Sequence, residues 1–210
     1  MNSHFFATVS RMKYIERWAL MRSARPENLS EHASEVAMIA HALCTIGNVR
    51  YGRNLNAERA ALVGLYHDAS EIITGDMPTP VKYYNRDLKS AYKEVEHIAE
   101  ERLLRQLPED LRPAYADIFG HGTDLENDSA TAENERYMRR LVKAADKLSA
   151  LIKCMEEAYS GNQEFSRAGE TTRRAVEEMT EELPEVKDFL EEFLPSYGKT
   201  LDELLETEEE

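Results

Sequence analysis

Tyr66-His67-Asp68-Ala69-Ser70-Glu71 sets two metal-binding side chains next to each other and brings in a carboxylate three residues later. Imidazole nitrogen together with carboxylate oxygen suits borderline and hard divalent ions. One such pair is not a site, so matching ligands must come from elsewhere in the chain. His32, 35 residues before His67, and Asp146, 78 residues after Asp68, are the candidates. A six-coordinate ion held by His32, His67, Asp68 and Asp146 keeps positions open for a water and a phosphate oxygen. It makes that water more acidic and neutralises charge on the phosphoryl group. The chemistry this points to is hydrolysis of a phosphate ester.

Helices must position these groups, because almost every periodic segment reads at helical spacing. Residues 4–20 read as a first helix with Phe5, Val9, Met12 and Trp18 on a stripe, closed by Arg17 and Trp18. Asn28 or Ser30 can cap a second helix, with His32 in its first turn and Gly47 as its stop. Asn56 caps a third that runs through His67 and Asp68 to Gly75. On it, neighbouring side chains diverge by about 100°, and Glu71 shares a face with Asp68. Asp76-Met77-Pro78-Thr79-Pro80 follows as a loop stiffened by two prolines.

Residues 87–107 carry Leu88, Tyr92, Val95, Ala99 and Leu103 on one face of a long helix. Pro108 opens a shorter helix through Phe119, and a glycine-containing loop follows, in which His121 reads as solvated. The longest helix, from about Ala132 to Tyr159, has Tyr137, Leu141, Ala145, Leu148, Ile152 and Met155 as its buried stripe, with Asp146 beside it. A carboxylate there is costly to bury unless paired or metal-bound, although it could also turn to solvent from the stripe's edge. By itself His32 could likewise be exposed or serve a cap. Two more helices, 163–183 and 185–194, precede a turn with Leu201, Leu204 and Leu205. The fold class is therefore all-α, about eight helices in a single domain over 1–200, with an acidic, frayed tail over 201–210.

Apolar residues make up 42%, enough for a sizeable core, and no run approaches the roughly 18 needed to span a membrane. The first residues do not read as a signal peptide, so a cytoplasmic protein is expected. Cys44 and Cys154 are isolated and read as small buried residues. The net charge of −14 is concentrated from Glu170 onward, where 15 acidic residues meet 4 basic ones. That distribution argues against nucleic-acid binding, which needs clustered Lys and Arg, but leaves room for a small phosphorylated ligand.

The set His32, His67-Asp68 and Asp146 resembles the signature of the HD-domain metal-dependent phosphohydrolases, an all-helical superfamily. Ser3-His4-Phe5-Phe6, Arg17-Trp18, Ser30-Glu31-His32, the segment from Tyr66 to Glu71, Thr74 to Tyr83 and Val142-Lys143-Ala144-Ala145-Asp146 are similar to the bacterial 5′-deoxynucleotidase (YfbR-like) group. The acidic tail and the longer loop near 120–131 depart from that group's pattern.

This resemblance implies hydrolysis of deoxyribonucleoside 5′-monophosphates with one divalent ion, cobalt or manganese, by a homodimer. It makes His32, His67, Asp68 and Asp146 the metal ligands. Glu71 and Asp76 become the catalytic carboxylates, one acting on the attacking water and the other on the leaving 5′-oxygen or the sugar 3′-hydroxyl. Arg17, Trp18, Asp76, Met77, Pro78, Thr79 and Lys143 would contact the substrate, as would His32 and Asp68. Trp18 beside C2′ would leave a ribose 2′-hydroxyl unpaired, at a cost of roughly 1–3 kcal/mol. Two other readings stay open: an HD phosphohydrolase for a nucleoside di- or triphosphate or a cyclic dinucleotide, and a non-catalytic nucleotide sensor.

Overall fold

In the computed structural model, residues 2–82, 84–121 and 129–206 are described, with Thr79 and Pro80 as backbone only. The chain begins with α1 (Phe5–Val9), continues as a 3-10 turn (Ser10–Tyr14), and then extends. The expected helix over 4–20 therefore stops early. Glu16 and Arg17 form β1, which pairs antiparallel with β2 (Glu27–Asn28) in the register Glu16 with Asn28 and Arg17 with Glu27. Trp18 follows in the left-handed region at φ 59°, so it leaves the Phe5 stripe altogether.

Helix α2 (Leu29–Tyr51) starts from a capping box: the Asn28 side chain accepts from the backbone of Ser30 and Glu31, and Glu31 accepts from the backbone of Asn28. Its stop is Gly52, not Gly47. Gly47 is buried inside the helix, where a Cβ would come within 2.9 Å of the Glu185 carboxylate. Helix α3 (Ala57–Tyr66) ends sooner than expected, in a turn over His67–Ser70 that leads into α4 (Glu71–Thr74). The cause is local. The His67 Nδ1–H donates to the Gly64 carbonyl at 2.7 Å, and Ala69 and Glu71 bond back only three residues. A side chain thus competes with the helical ladder for its acceptor. Gly64 also permits the close approach of α3 to α2, since a Cβ would lie 2.9 Å from the Ala37 Cα.

After the loop through Pro78 come α5 (Thr79–Lys82), α6 (Arg86–Leu104) and α7 (Arg112–Ile118), which begins later than Pro108 suggested. On α6, Tyr92, Ala99 and Leu103 are buried, but Leu88 and Val95 are exposed, because the helix packs only part of its stripe on its neighbours. The long α8 (Ala130–Tyr159) is the central element, followed by α9 (Ser166–Met179), α10 (Pro184–Glu192) and the short α11 (Leu201–Leu205). Helix α11 is held by a Thr200–Glu203 capping box although its leucines are exposed, and 207–210 lie outside the described residues.

The main core joins α2, α3 and α8 through Val36, Leu43, Val63, Leu141, Ala145, Leu148 and Ile152. Each fully buried Leu or Ile contributes roughly 1.5–3 kcal/mol. A smaller core gathers Phe5, Met12, Leu29, Ala33, Ala69 and Leu103. Tyr66 packs against both. His32 precedes Ala33 and His67 follows Tyr66, so both imidazoles stand at the seam between the two cores. Cys44 and Cys154 are buried and free, as expected.

Candidate metal centre

Three separate elements deliver the predicted cluster. His32 comes from the first turn of α2, His67 and Asp68 from the turn after α3, and Asp146 from the middle of α8. The His32 Nε2 lies 3.3 Å from an Asp146 oxygen and 3.6 Å from an Asp68 oxygen. The His67 Nε2 lies 3.0 Å from the same Asp68 oxygen, and the two rings are 5.2 Å apart between centroids. One nitrogen of each imidazole and one oxygen of Asp68 fall within 4.8 Å of one another. Yet both Nε2 atoms are buried without a well-aligned hydrogen bond.

The other ring nitrogens are committed. His67 gives its Nδ1–H to Gly64. His32 is fully buried, and its Nδ1 lies 2.9 Å from the Ser149 hydroxyl, which itself donates to Glu35 at 2.6 Å. The serine hydrogen is used on Glu35, so the serine oxygen accepts from Nδ1–H. In their neutral forms both imidazoles therefore carry the proton on Nδ1, the tautomer that leaves Nε2 to a metal, and outer hydrogen bonds of the type that orients such ligands hold them there.

The charges fit a cation as well. Burial would lower His67, but Asp68 and Asp146 outweigh it and push the imidazole up to about 9. Burial would raise Asp68, but the charge of His67 holds it down to about 2. Asp146 is likewise held well below the usual carboxylate range, chiefly by its contact with His32 against the effect of burial. Burial keeps His32 below its ordinary value, with Arg17 adding to the effect. Glu71 is buried, one of its oxygens has no partner, and burial followed by the charges of Asp68 and Asp76 pushes it up to about 9. Asp68 lies against both Nε2 atoms and Asp146 against that of His32, a negatively charged surround that favours a cation.

Around this cluster, Arg17 pairs with Glu27 at 2.5 Å, while its Nε is buried without an acceptor. The Trp18 backbone N–H donates to Asp76 at 3.1 Å, and its indole rests edge-on against Phe165 at 5.3 Å. The stretch between β1 and β2 is fastened to α8: Glu157 accepts from the backbone N–H groups of Ala24 and Arg25, from Asn162 and from the buried Lys153 ammonium. Met77 and Pro78 are half-buried in the loop beyond Asp76. The Thr79 side chain lies outside the described residues.

Lys143 is exposed on α8, and the ammonium that meets Asp146, at 3.3 Å, belongs to Lys147 instead. Sequence reasoning passed over Ser149, Glu35 and Lys147. Ser149 follows Asp146 by one helical turn, which was the available signal. His121 is not a solvated loop residue: it is largely buried and paired with Glu100.

A family model described as 5′-deoxynucleotidase YfbR-like matches residues 4–197. A 5′-deoxynucleotidase of Erwinia tasmaniensis is 46% identical over 203 residues, covering 97% of this chain and 96% of its own. Among solved structures, an HD-domain phosphohydrolase from Listeria innocua is similar with a TM-score of 0.76 at 24% identity, over 92% of this chain and 88% of that one. A cyanophage S-2L HD phosphohydrolase, bound to dA and one catalytic Zn2+ ion, is similar with a TM-score of 0.59 at 22% identity, over 92% and 96%. These structures establish the all-helical HD fold.

Proposed function

Because the chain belongs to the 5′-deoxynucleotidase YfbR-like family, we propose that it hydrolyses deoxyribonucleoside 5′-monophosphates to deoxynucleoside and phosphate. One divalent ion held by His32, His67, Asp68 and Asp146 serves the reaction. The observation that carries this reading is the pair of buried Nε2 atoms beside two carboxylates, each imidazole locked by a hydrogen bond on its far side. The catalytic Zn2+ of the cyanophage protein and its bound dA agree with it.

When bound, the ion supplies a more acidic water and offsets phosphoryl charge. Glu71 takes the proton from the attacking water. Burial first, then the charges of Asp68 and Asp76, raise Glu71; a cation beside Asp68 would offset the second of these and shift Glu71 toward its ionised, proton-accepting form. Asp76 uses one oxygen to hold the Trp18 backbone. Its other oxygen serves the leaving 5′-oxygen or the sugar 3′-hydroxyl. Arg17, already oriented by Glu27, offers its unpaired Nε to the phosphate. Trp18, fixed by its backbone bond and by Phe165, walls the C2′ side of the sugar. His32 and Asp68 border the phosphate, and Met77 and Pro78 complete the pocket. Lys143, exposed, adds charge only at the rim.

The mixed nitrogen and oxygen donors suit Co2+ or Mn2+. A cytoplasmic homodimer completes the reading: α6 leaves Leu88, Val95 and Ile98 exposed as contact surface. Among the described residues, no helix is long and apolar enough to cross a membrane. Phosphate release from dAMP and AMP, with and without Mn2+ or Co2+, tests the proposal. Metal-dependent release that favours dAMP supports it. Release without metal, or only from a nucleoside triphosphate or cyclic dinucleotide, refutes it.

A further inference from the structure

We propose that His97, Glu100 and His121 form a second transition-metal site, separate from the His32 cluster, which clips the end of α7 onto α6. One nitrogen of each imidazole and one oxygen of Glu100 lie within 4.8 Å of one another. Two imidazoles and a carboxylate are a donor set for Zn2+, Co2+ or Ni2+ rather than Mg2+ or Ca2+.

The backbone fixes two of the three carriers. His97 and Glu100 are three residues apart on α6 and so share a face. His121 closes α7 in a Schellman motif. Gly120 takes the left-handed conformation at φ 83°, its N–H bonds to the Asp117 carbonyl at 3.1 Å, and the His121 N–H bonds to Ala116 at 2.8 Å. That geometry presents the His121 ring to α6, where its Nε2 lies 2.7 Å from Glu100.

His97 must adjust. Its ring stacks on His121 at 4.5 Å and 8°, and parallel rings cannot aim both lone pairs at one ion. The His97 side chain is 58% exposed and lies 3.7 Å from Glu101, so turning it costs little. The ring then tilts to close a three-ligand site with water in the remaining position, as in open zinc sites. The proposed catalytic set uses none of these residues. An ion there binds only where the end of α7 is docked on α6, so it favours the folded chain by mass action.

The test uses the whole chain, stripped with chelator and titrated with Zn2+ and Co2+, with bound metal counted and the Co2+ absorption spectrum recorded. The wild type should bind two equivalents. His97→Ala and His121→Ala should each bind one while keeping phosphate release at the wild-type rate, and Glu100→Gln should weaken the second equivalent about tenfold. Circular dichroism establishes that each variant folds. The Asp68→Asn variant isolates the second site from the first: it should retain an equivalent that disappears when His121→Ala is added. A wild type that binds a single equivalent, or a His121→Ala chain that still binds two, overturns the proposal.

Discussion

Replacing Ser149 by alanine should loosen the grip on the catalytic ion while leaving the reaction itself almost intact. The Ser149 hydroxyl accepts from His32 at 2.9 Å and donates to Glu35 at 2.6 Å, and both His32 and Ser149 are fully buried. Without it, the Nδ1–H of His32 and one Glu35 oxygen lose their partners, and no solvent reaches the ring to replace them. The stability cost of an unpaired buried group is about 1–3 kcal/mol. The effect on metal comes through the tautomer. With Nδ1–H unrewarded, the proton moves more readily to Nε2, where it blocks the lone pair the ion needs. Losing an outer hydrogen bond of this kind weakens binding about 10- to 100-fold, or roughly 1.4–2.7 kcal/mol. The assay is dAMP turnover against free Mn2+. The midpoint should rise by that factor, with kcat at saturating metal within about threefold of wild type. Ser149→Thr, which keeps a hydroxyl, should recover most of the shift. A midpoint unchanged to within twofold would show that the Glu35–Ser149 chain does not hold His32.

Glu71→Gln, close in shape, should keep the metal content and lower kcat about 10²- to 10⁴-fold; a variant that loses its metal would make Glu71 a ligand instead. Trp18→Ala should bring the dAMP to AMP ratio of kcat/KM toward one, and an unaltered ratio would remove Trp18 from sugar selection. Glu157→Gln should lower stability by about 2–3 kcal/mol at neutral pH. Burial would raise Glu157, but Lys153, with the backbone N–H groups and Asn162, holds it down to about 2. Its stabilising effect is therefore complete above the ordinary carboxylate value and fades as pH falls from about 4.5 toward 2. Urea denaturation across that range checks it: wild type and variant should converge in acid, and parallel curves would refute the assignment.

The helical class and the long α8 with its stripe were legible because burial leaves a 3.6-residue period in the sequence. The set His32, His67, Asp68 and Asp146 was legible as ligand types whose grouping rested on the family resemblance, since spacing alone left His32 and Asp146 free to face solvent. What escaped were features set by tertiary contact. Arg17 and Trp18 read as the end of a helix, yet Glu27 and Asn28 draw the chain into a two-residue ladder, and no local propensity marks so short a pairing. The break after Tyr66 depends on an imidazole taking the Gly64 carbonyl, which periodicity cannot show. Gly47 looked like a stop because glycine usually ends helices, but here it makes room for Glu185. Ser149 left only its one-turn spacing from Asp146 as a signal, because its value lies in two partners, His32 and Glu35, more than a hundred residues away.

The central claim is that two imidazoles and two carboxylates from α2, the turn after α3, and α8 hold one divalent ion. A crystal grown with Mn2+, with data collected at the manganese absorption edge, tests it most directly. An anomalous peak is expected within bonding distance of the His32 and His67 Nε2 atoms and of oxygens from Asp68 and Asp146. A manganese-replete, active crystal with no peak among those four side chains would contradict it.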